Sequence, residues 1–319
     1  MDERIASILK KQGYAIVGKH SGVKLCHWLR QSLLHNRVCY KQRFYGIESH
    51  RCLQMTPAIN HCTQSCLFCW RYQGFTQLKI DDPDDPDFIL EESIKAQRRL
   101  ITGYKGDPRV DRKKWEEATD PKHLACSLTG EPTLYPMLGE LFESAHKKGM
   151  TTFLVTNGTN PDVLENLDPL PTQLYVSITA PNEDVYRKLN RPLISKGWER
   201  IQRTLEILPS LDTRIVIRHT LVKGWNMKEE FIKEYARIID RVQPLFVEPK
   251  AYMFVGYSRK RLSIENMPSF DEIVEFGKKL SEETGYLYLN ESRDSRVVLL
   301  GRERGQGKDR LINLISYQI

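Results

Sequence analysis

Three cysteines stand close together in the segment "NHCTQSCLFCWRYQGF", which covers residues 60–75. Cys62, Cys66 and Cys69 follow the spacing C-x3-C-x2-C, and no fourth cysteine lies nearby. A structural zinc site needs four ligands in a closed tetrahedron, and a 4Fe-4S cluster is usually held by four thiolates. Three thiolates on such a cluster leave one iron with an open coordination position, where a substrate can bind. Zinc is the plainer interpretation, and we favour an iron–sulfur cluster at which chemistry takes place.

A second set of three cysteines precedes the first. Cys26, Cys39 and Cys52 are separated by twelve residues each time, a spacing that no single turn can close, so they must converge through folding. Six of the seven cysteines therefore fall between Cys26 and Cys69. Clustering and an odd total favour metal ligation over a disulfide framework in an intracellular protein. We assign the seventh, Cys126, no ligand role because a buried free cysteine behaves as a small hydrophobe.

The composition bounds the class of protein. The chain has 319 residues, of which 40% are hydrophobic, so one large domain or two ordinary ones with a sizeable core are expected. No apolar run is long enough to span a membrane, and the first residues lack the pattern of a secretory signal. These observations predict a soluble protein of the cytoplasm with no membrane partner.

Basic residues are bunched in the sequence. The formal net charge is +7, with clusters at residues 111–115, 258–261 and 301–310. Basic clusters beside aromatic residues suit a polyanion such as nucleic acid, whereas the plainer interpretation is solvated surface charge. The aromatic candidates for stacking on RNA bases are Trp28, Phe44, Tyr45, Trp70 and Tyr72.

Short β-branched runs alternate with longer helical stretches from residue 51 onward. We predict strands at 52–59, 124–130, 151–157, 173–180, 214–222 and 245–254. We predict helices at roughly 89–104, 134–148, 183–190, 196–208, 228–242 and 270–284. This order indicates an α/β fold with a parallel sheet and helices packed outside it, an incomplete TIM-like (βα)6 barrel.

The two ends of the chain differ from this repeat. Residues 1–50 are rich in basic and aromatic residues and form an N-terminal extension that contributes to a second metal site. Residues 51–284 form the partial barrel. Residues 285–319 form a C-terminal β extension, because residues 285–301 are typical of two strands around a turn.

The first cysteine set lies just after the first predicted strand, at the end of the sheet where α/β barrels keep their active sites. Phe68 precedes the last of these cysteines, and "TGEP" (Thr129 to Pro132) follows the second strand. Together these features resemble the radical S-adenosylmethionine enzymes. The resemblance implies that S-adenosylmethionine chelates the open iron through its amino and carboxylate groups. It also implies that an electron from the cluster cleaves it to methionine and a 5′-deoxyadenosyl radical.

The same resemblance suggests which residues contact the cofactor. The Gly-Glu-Pro motif of this superfamily lies along the methionine amino group, and a side chain on the glycine would block that approach. Polar residues at strand ends are further candidates, although they could simply make turns. The predicted cofactor-binding residues are Gly130, Glu131, Pro132, Asn157, Ser177 and Arg218.

Over essentially its whole length the chain resembles the archaeal type of the tRNA wybutosine-synthesis family, the 4-demethylwyosine synthases. The resemblance implies condensation of N1-methylguanosine beside the anticodon of tRNA-Phe with pyruvate, a carbon–carbon lyase reaction. It implies two 4Fe-4S clusters, one on each cysteine set, and pyruvate could chelate the open iron of the second. It also implies a monomer served by a separate electron-donor protein of the flavodoxin or ferredoxin type.

Lys41 stands two residues after Cys39 and is the predicted catalytic residue. A lysine amine can form a Schiff base with the pyruvate ketone if it is neutral, and burial beside another cation favours the neutral form. The alternatives are that Lys41 offsets the charge of the thiolates or binds the tRNA backbone.

Two other functions remain open at the level of sequence. An activating or peptide-modifying radical enzyme with an auxiliary cluster would also carry extra cysteines, but usually in C-x2-C pairs. A non-catalytic metal-containing RNA-binding protein would have the cysteines and the basic clusters, but no use for the Gly-Glu-Pro motif.

Overall fold

The computed structural model describes residues 3–302 and 310–312, and its described strands form one ten-stranded sheet. The order across the sheet follows the chain from β1 to β8 and ends with β10 and then β9. The strands are β1 Tyr14–Val17, β2 Ser21–Lys24, β3 Cys52–Thr56, β4 His123–Cys126, β5 Thr151–Thr156, β6 Gln173–Ser177, β7 Arg214–Leu221, β8 Phe246–Ala251, β9 Leu287–Ser292 and β10 Val297–Gly301.

Six parallel strands, β3 to β8, form the centre of the sheet and confirm the six predicted strands. Alternation along each strand sends one set of side chains to the helices and the other into the barrel. In β4, for example, Leu124 and Cys126 belong to the core under the helices, whereas Ala125 belongs to the barrel interior. The carboxyl ends of all six strands therefore meet at one edge.

Helices connect these strands. Five of them match predicted helices, whereas the short helices Arg112–Ala118 and Pro161–Glu165 were not predicted. They are α1 Glu3–Lys11, α2 His27–His35, α3 Tyr40–Tyr45, α4 Pro86–Thr102, α5 Arg112–Ala118, α6 Leu138–Lys147, α7 Pro161–Glu165, α8 Glu183–Val185, α9 Gly197–Ile207, α10 Ile232–Val242 and α11 Phe270–Thr284. The predicted helix at 183–190 is only a short α8 that continues as a π-helical turn, Tyr186–Asn190. Among the described helices, none is long and apolar enough to cross a membrane.

The ends of the helices have identifiable caps. The Asp85 side chain accepts a hydrogen bond from Phe88 N at 3.0 Å at the start of α4, which satisfies one of the free amides there. Ser269 and Glu272 form a capping box at the start of α11, and Gly285 ends that helix with φ 71°.

Antiparallel hairpins extend both edges of the parallel sheet. At one edge β1 and β2 pair with each other and β2 pairs with β3, an addition that the sequence analysis did not predict. At the other edge β10 pairs with β8 and β9 pairs with β10, as predicted for residues 285–301. The outermost described strands, β1 and β9, each have one partner, so the barrel is incomplete.

Helix α3 fills the interior of the barrel. Phe44 and Tyr45 have no exposed surface and pack with Phe153 of β5 and Phe246 of β8. Burial of aromatic side chains of this size stabilises the fold by roughly 2–3 kcal/mol each. The second residue of α3 is Lys41, the predicted catalytic residue.

Cys126 lies on the other side of the sheet from α3. It has no exposed surface, and its Sγ contacts Met55 Sδ at 3.5 Å. This environment agrees with the prediction that Cys126 is a small core residue.

Candidate active site

The first cysteine set lines a cavity of about 320 Å³ at the carboxyl ends of the parallel strands. The loop after β3 carries Cys62, Cys66 and Cys69 and is held to the rest of the chain by backbone hydrogen bonds. Cys62 N donates to Gln77 O at 2.9 Å. His61 is buried but does not line the cavity, so it does not supply the missing fourth ligand.

The thiols of Cys62 and Cys66 lie where burial disfavours their charged form. Burial raises the pKa of Cys62 to about 11 and raises that of Cys66 well above its usual range. Metal ions bind thiolates and compensate their charge. Three cysteines that line one cavity therefore suit an iron–sulfur cluster better than three free thiols.

The Gly-Glu-Pro segment packs directly against this loop. Gly130 has φ +74°, and a Cβ atom there would lie 1.8 Å from Ala58 O and 2.6 Å from His61 O. The backbone N of Glu131 also donates to His61 O at 2.8 Å. Glycine is required because the chain must pass the cysteine loop closely with a positive φ. The physical reason is thus contact within the protein, whereas the sequence analysis attributed it to approach of the cofactor.

The carboxylate of Glu131 accepts hydrogen bonds from neighbouring residues of the chain. It has 1% exposure and accepts hydrogen bonds from Thr133 Oγ1, Thr156 Oγ1 and Asn157 N, each at 2.7 Å. Burial raises its pKa. The side chain ties the motif to the end of β5, and Pro132 lines the cavity beside it. Contact of the cofactor with the backbone of this motif stays a prediction.

The predicted strand-end residues reach the same cavity. Asn157 follows β5 and Ser177 ends β6, and both line the space in front of the cysteines. Asn157 Nδ2 donates to Thr63 Oγ1 at 2.9 Å and lies 3.9 Å from Cys62 Sγ. These positions are suitable for cofactor contact, and that role stays a prediction.

The second cysteine set converges on a separate cavity of about 330 Å³. Cys26 precedes α2, Cys39 precedes α3 and Cys52 begins β3, and all three line this cavity. Burial raises the pKa of the Cys39 thiol to about 12. The structure thus brings together three residues that the sequence separates by 26 positions.

Lys41 also lines the second cavity and is 8% exposed. Its Nζ lies 4.8 Å from the centre of the Phe153 ring and 4.4 Å from that of Tyr175. Within residues 3–302 and 310–312 no carboxylate lies within 4.0 Å of this amine. Burial and the Arg218 charge lower its pKa, which favours the neutral, nucleophilic form.

Arg218 stands between the two cavities and lines both. Its Nε lies 3.0 Å from Glu248 Oε2, its Nη2 donates to Tyr40 OH at 2.9 Å, and its guanidinium carbon lies 4.4 Å from the Tyr175 ring centre. Ser127 also lines both cavities. Arg218, the predicted cofactor contact, is therefore part of the wall that the two cavities share. Glu248 and Tyr40 set the orientation of its guanidinium.

Comparison with known proteins connects this geometry to a family. The radical SAM superfamily model matches residues 56–236, and a family model described as wyosine base formation matches residues 241–302. The S-adenosyl-L-methionine-dependent tRNA 4-demethylwyosine synthase of Pyrococcus abyssi is 57% identical over 95% of this chain and 90% of its own length. That of Methanocaldococcus jannaschii is 44% identical over 94% and 96%.

The chain belongs to the tRNA 4-demethylwyosine synthase family.

Solved structures agree with this assignment. A structure of TYW1 with a lysine–pyruvate adduct bound is 42% identical, has a TM-score of 0.87 and covers 98% of this chain and 99% of its own. An archaeal TYW1 crystal structure is 39% identical, with a TM-score of 0.80 and coverage of 98% and 100%. As a 4-demethylwyosine synthase, the chain modifies tRNA in wybutosine biosynthesis by radical S-adenosylmethionine chemistry, with a 4Fe-4S cluster. The family thus decides against the activating-enzyme and non-catalytic alternatives.

The residues around the two cavities come partly from the radical SAM segment and partly from the wyosine segment. The superfamily region contributes Cys62, the Gly-Glu-Pro motif and Arg218. The wyosine region contributes β8, whose Lys250 lines both cavities and whose Glu248 binds Arg218. The sequence analysis missed both residues, although their i, i+2 spacing in an otherwise apolar strand indicates one inward face.

Arg71 is a further residue that the sequence analysis missed. It is 1% exposed and lines the first cavity, and its Nε, Nη1 and Nη2 have no hydrogen-bond partner in the described part of the synthase. An unpaired buried guanidinium is costly and indicates an anion that belongs beside it. A cluster with thiolate ligands and a cofactor carboxylate both satisfy that need, so the residues present fit these groups. Its position two residues after Cys69 is the feature of the sequence that could have predicted a basic residue beside the cysteine loop.

The predicted stacking aromatics divide into two sets. Phe44 and Tyr45 have no exposed surface, so the prediction that they contact RNA is wrong. Trp28, Trp70 and Tyr72 are partly exposed and stay candidates. The basic cluster at 301–310 lies mostly outside the described residues.

Proposed function

We propose that the chain condenses N1-methylguanosine beside the anticodon of tRNA-Phe with pyruvate to form 4-demethylwyosine, acting as a carbon–carbon lyase. One observation carries the proposal. Lys41 is buried, has no acidic partner among the described residues and shares a cavity with Cys26, Cys39 and Cys52. A relative 42% identical to this chain carries a lysine–pyruvate adduct, which supports the same chemistry here.

Lys41 is proposed to form an imine with pyruvate. The neutral amine attacks the ketone carbon, the carbon–nitrogen double bond forms, and the ketone oxygen leaves as water. The low exposure of Lys41 and the nearby charge of Arg218 favour the neutral amine. The rings of Phe153 and Tyr175 confine the side chain of Lys41, so the pyruvate adduct has a defined orientation.

Cys26, Cys39 and Cys52 would hold a second 4Fe-4S cluster, whose open iron would offer a binding position for a carboxylate oxygen of pyruvate. Cys62, Cys66 and Cys69 would hold the first cluster, with S-adenosylmethionine against the Gly-Glu-Pro backbone, Asn157, Ser177 and Arg218. Together the first cluster and S-adenosylmethionine supply a 5′-deoxyadenosyl radical, which takes a hydrogen atom from the N1-methyl group.

The wall that the two cavities share explains how the activated guanosine methyl group can reach the pyruvate bound to Lys41. The methylene radical of the guanosine adds to the pyruvate-derived carbon, and the pyruvate carboxylate is lost as carbon dioxide together with the one electron that the cofactor cleavage had consumed. The guanine amino group then displaces the Lys41 amine and closes the ring. Arg218, Ser127 and Lys250 line both cavities, so the cofactor site and the pyruvate site are adjacent. The base must leave the anticodon loop stack to reach this wall.

The proposal also covers the electron donor, the oligomeric state and the roles of the three segments of the chain. A separate flavodoxin- or ferredoxin-type protein supplies the electron, and the chain acts as a monomer in the cytoplasm. Residues 1–50 serve the second cluster, residues 51–284 form the radical barrel, and residues 285–319 form the C-terminal extension.

Reductive trapping tests the imine. The reconstituted protein is incubated with labelled pyruvate and borohydride, and the labelled peptide is found by mass spectrometry. Label on Lys41 is expected, and Lys41→Arg should lose it while keeping its iron. Label on other lysines alone, in a preparation that forms 4-demethylwyosine, would remove the covalent role of Lys41.

Iron counting tests the clusters. Anaerobic reconstitution should give about eight irons per chain, falling to about four in Cys62→Ala and in Cys26→Ala. Cys126→Ala is the matched control and should keep about eight. Zinc in either set would contradict the assignment for that set.

A further inference from the structure

Lys250 occupies a central position in the wall between the two cavities. It lies on β8 and lines both cavities. Its Nζ donates to Ser295 O at 2.7 Å and lies 5.1 Å from the centre of the Tyr40 ring. Neither the imine chemistry of Lys41 nor the cluster ligands explain why a lysine is placed there.

The charges around Lys250 do not balance. Arg218 and Lys250 bring two cationic groups to the second cavity beside the amine of Lys41, and Glu248 behind the wall is already bound by Arg218 and by Tyr45 OH at 2.7 Å. Across the described ranges, no carboxylate lies within 4.0 Å of Lys250 Nζ.

An ammonium group offers three donors, of which the Ser295 carbonyl takes one. The other donors are available to the second cavity, whose described lining includes no carboxylate. A partly buried ammonium with two unused donors suits an anionic ligand. Burial and Arg218 lower the pKa of Lys250 to about 8, so it is still mostly protonated at neutral pH.

The position of Lys250 in the sequence identifies the kind of ligand. It falls in the wyosine segment, residues 241–302, and outside the radical SAM segment, residues 56–236. A residue for generic handling of S-adenosylmethionine would belong to the second segment. Lys250 therefore serves the step that distinguishes this family, which is the reaction with the second substrate.

We propose that Lys250 binds the carboxylate of the α-keto acid substrate while Lys41 reacts with its ketone. This inference rests on the proposed function, in which pyruvate is that substrate. In an α-keto acid the carboxylate is bonded directly to the ketone carbon, so an imine on Lys41 keeps the carboxylate inside the cavity that Lys250 also lines. The ion pair would select 2-oxo acids over neutral ketones and aldehydes.

The test combines a change in the protein with a change in the substrate. Borohydride trapping on the reconstituted protein is measured with labelled pyruvate and with labelled methyl pyruvate, which keeps the ketone but lacks the charged carboxylate. Lys250→Met should raise the half-saturating pyruvate concentration roughly 10- to 100-fold, as expected for loss of a charge-assisted hydrogen bond. The same variant should change the value for methyl pyruvate by less than about threefold, since no ion pair is lost.

Two variants complete the design. Lys250→Arg keeps the charge and should retain most of the affinity for pyruvate, and Lys188→Met, at an exposed lysine, should behave as the unmodified protein. Iron content and thermal unfolding confirm that each variant is folded. These controls separate loss of the charge from loss of the structure.

The outcomes are distinguishable. Equal weakening of both compounds in Lys250→Met, or no weakening of pyruvate, overturns the carboxylate role. Label transferred to Lys250 in the unmodified protein overturns it as well, because the residue would then be a nucleophile. Absence of label on Lys41 in the unmodified protein is instead a failure of the proposed function.

Discussion

Arg218 and Glu248 are direct register partners on neighbouring strands, and Arg218 Nε lies 3.0 Å from Glu248 Oε2. Glu248 has no exposed surface. The pair orients the guanidinium that separates the two cavities. Its two charges also act in opposite directions on Lys41, since Arg218 lowers and Glu248 raises the pKa of that amine.

Glu248→Gln should therefore shift the pH dependence of imine formation. Loss of the carboxylate charge lowers the pKa of Lys41 further, so the neutral amine is present at lower pH. The pH profile of borohydride trapping should move to lower pH, and stability should fall by about 1–3 kcal/mol because Arg218 loses a charged acceptor. Glu230→Gln, at an exposed glutamate, is the control. A profile that moves to higher pH would contradict the assigned electrostatics.

Arg71→Met should have opposite effects on the iron-free and the loaded protein. The iron-free protein should gain about 1–3 kcal/mol in the free energy of unfolding, because a buried charge with no partner is removed. The reconstituted variant should bind S-adenosylmethionine roughly 10- to 100-fold more weakly, or lose iron, because the anions in the cavity lose their cation. Urea unfolding and equilibrium dialysis measure the two effects, with Arg187→Met at the surface for comparison. A less stable iron-free variant would show that Arg71 has a protein partner.

Gly130→Ala should prevent assembly of the first site. The new Cβ would lie 1.8 Å from Ala58 O, and φ is +74°. Gly149→Ala is a matched control, since Gly149 has φ +66° but nothing within 4 Å of the added atom. The control should cost about 1 kcal/mol, whereas Gly130→Ala should cost more than about 3 kcal/mol and lose the first cluster. Similar losses in both variants would reduce the role of Gly130 to its backbone angle.

His219 should make the protein sensitive to acid. The ring is fully buried, its Nδ1 lies 2.6 Å from Ile178 O, and burial lowers its pKa to about 4. The unfolded chain binds this proton near pH 6.5 and the folded protein only near pH 4. Stability should thus decrease as the pH falls from about 6.5 to about 4, by roughly 2–3 kcal/mol from this group. His219→Gln should flatten that part of the pH profile in urea unfolding; an unchanged slope would assign it to other groups.

The parallel sheet was predictable because its cause is local. Each β-branched run carries its own pattern, and the connecting helices impose parallel pairing. The N-terminal hairpin was not predicted, since β1 and β2 are four residues each and their pairing with β3 depends on contacts between distant segments. The predicted exposure of Phe44 and Tyr45 failed for a related reason, because only the packed barrel shows that α3 enters its interior.

The amino-acid sequence by itself determined the chemistry of the first site. Cys62, Cys66 and Cys69 are near neighbours, so one loop brings their sulfurs to one cavity, and the Gly-Glu-Pro motif follows the adjacent strand. Only the tertiary structure decided the rest. Cys26, Cys39 and Cys52 meet because α2, α3 and β3 converge, and Arg218 and Lys250 join the two cavities because β7 and β8 are neighbours in the sheet. Local spacing sets which atoms one loop can present, whereas contacts between distant segments exist only once the core has formed.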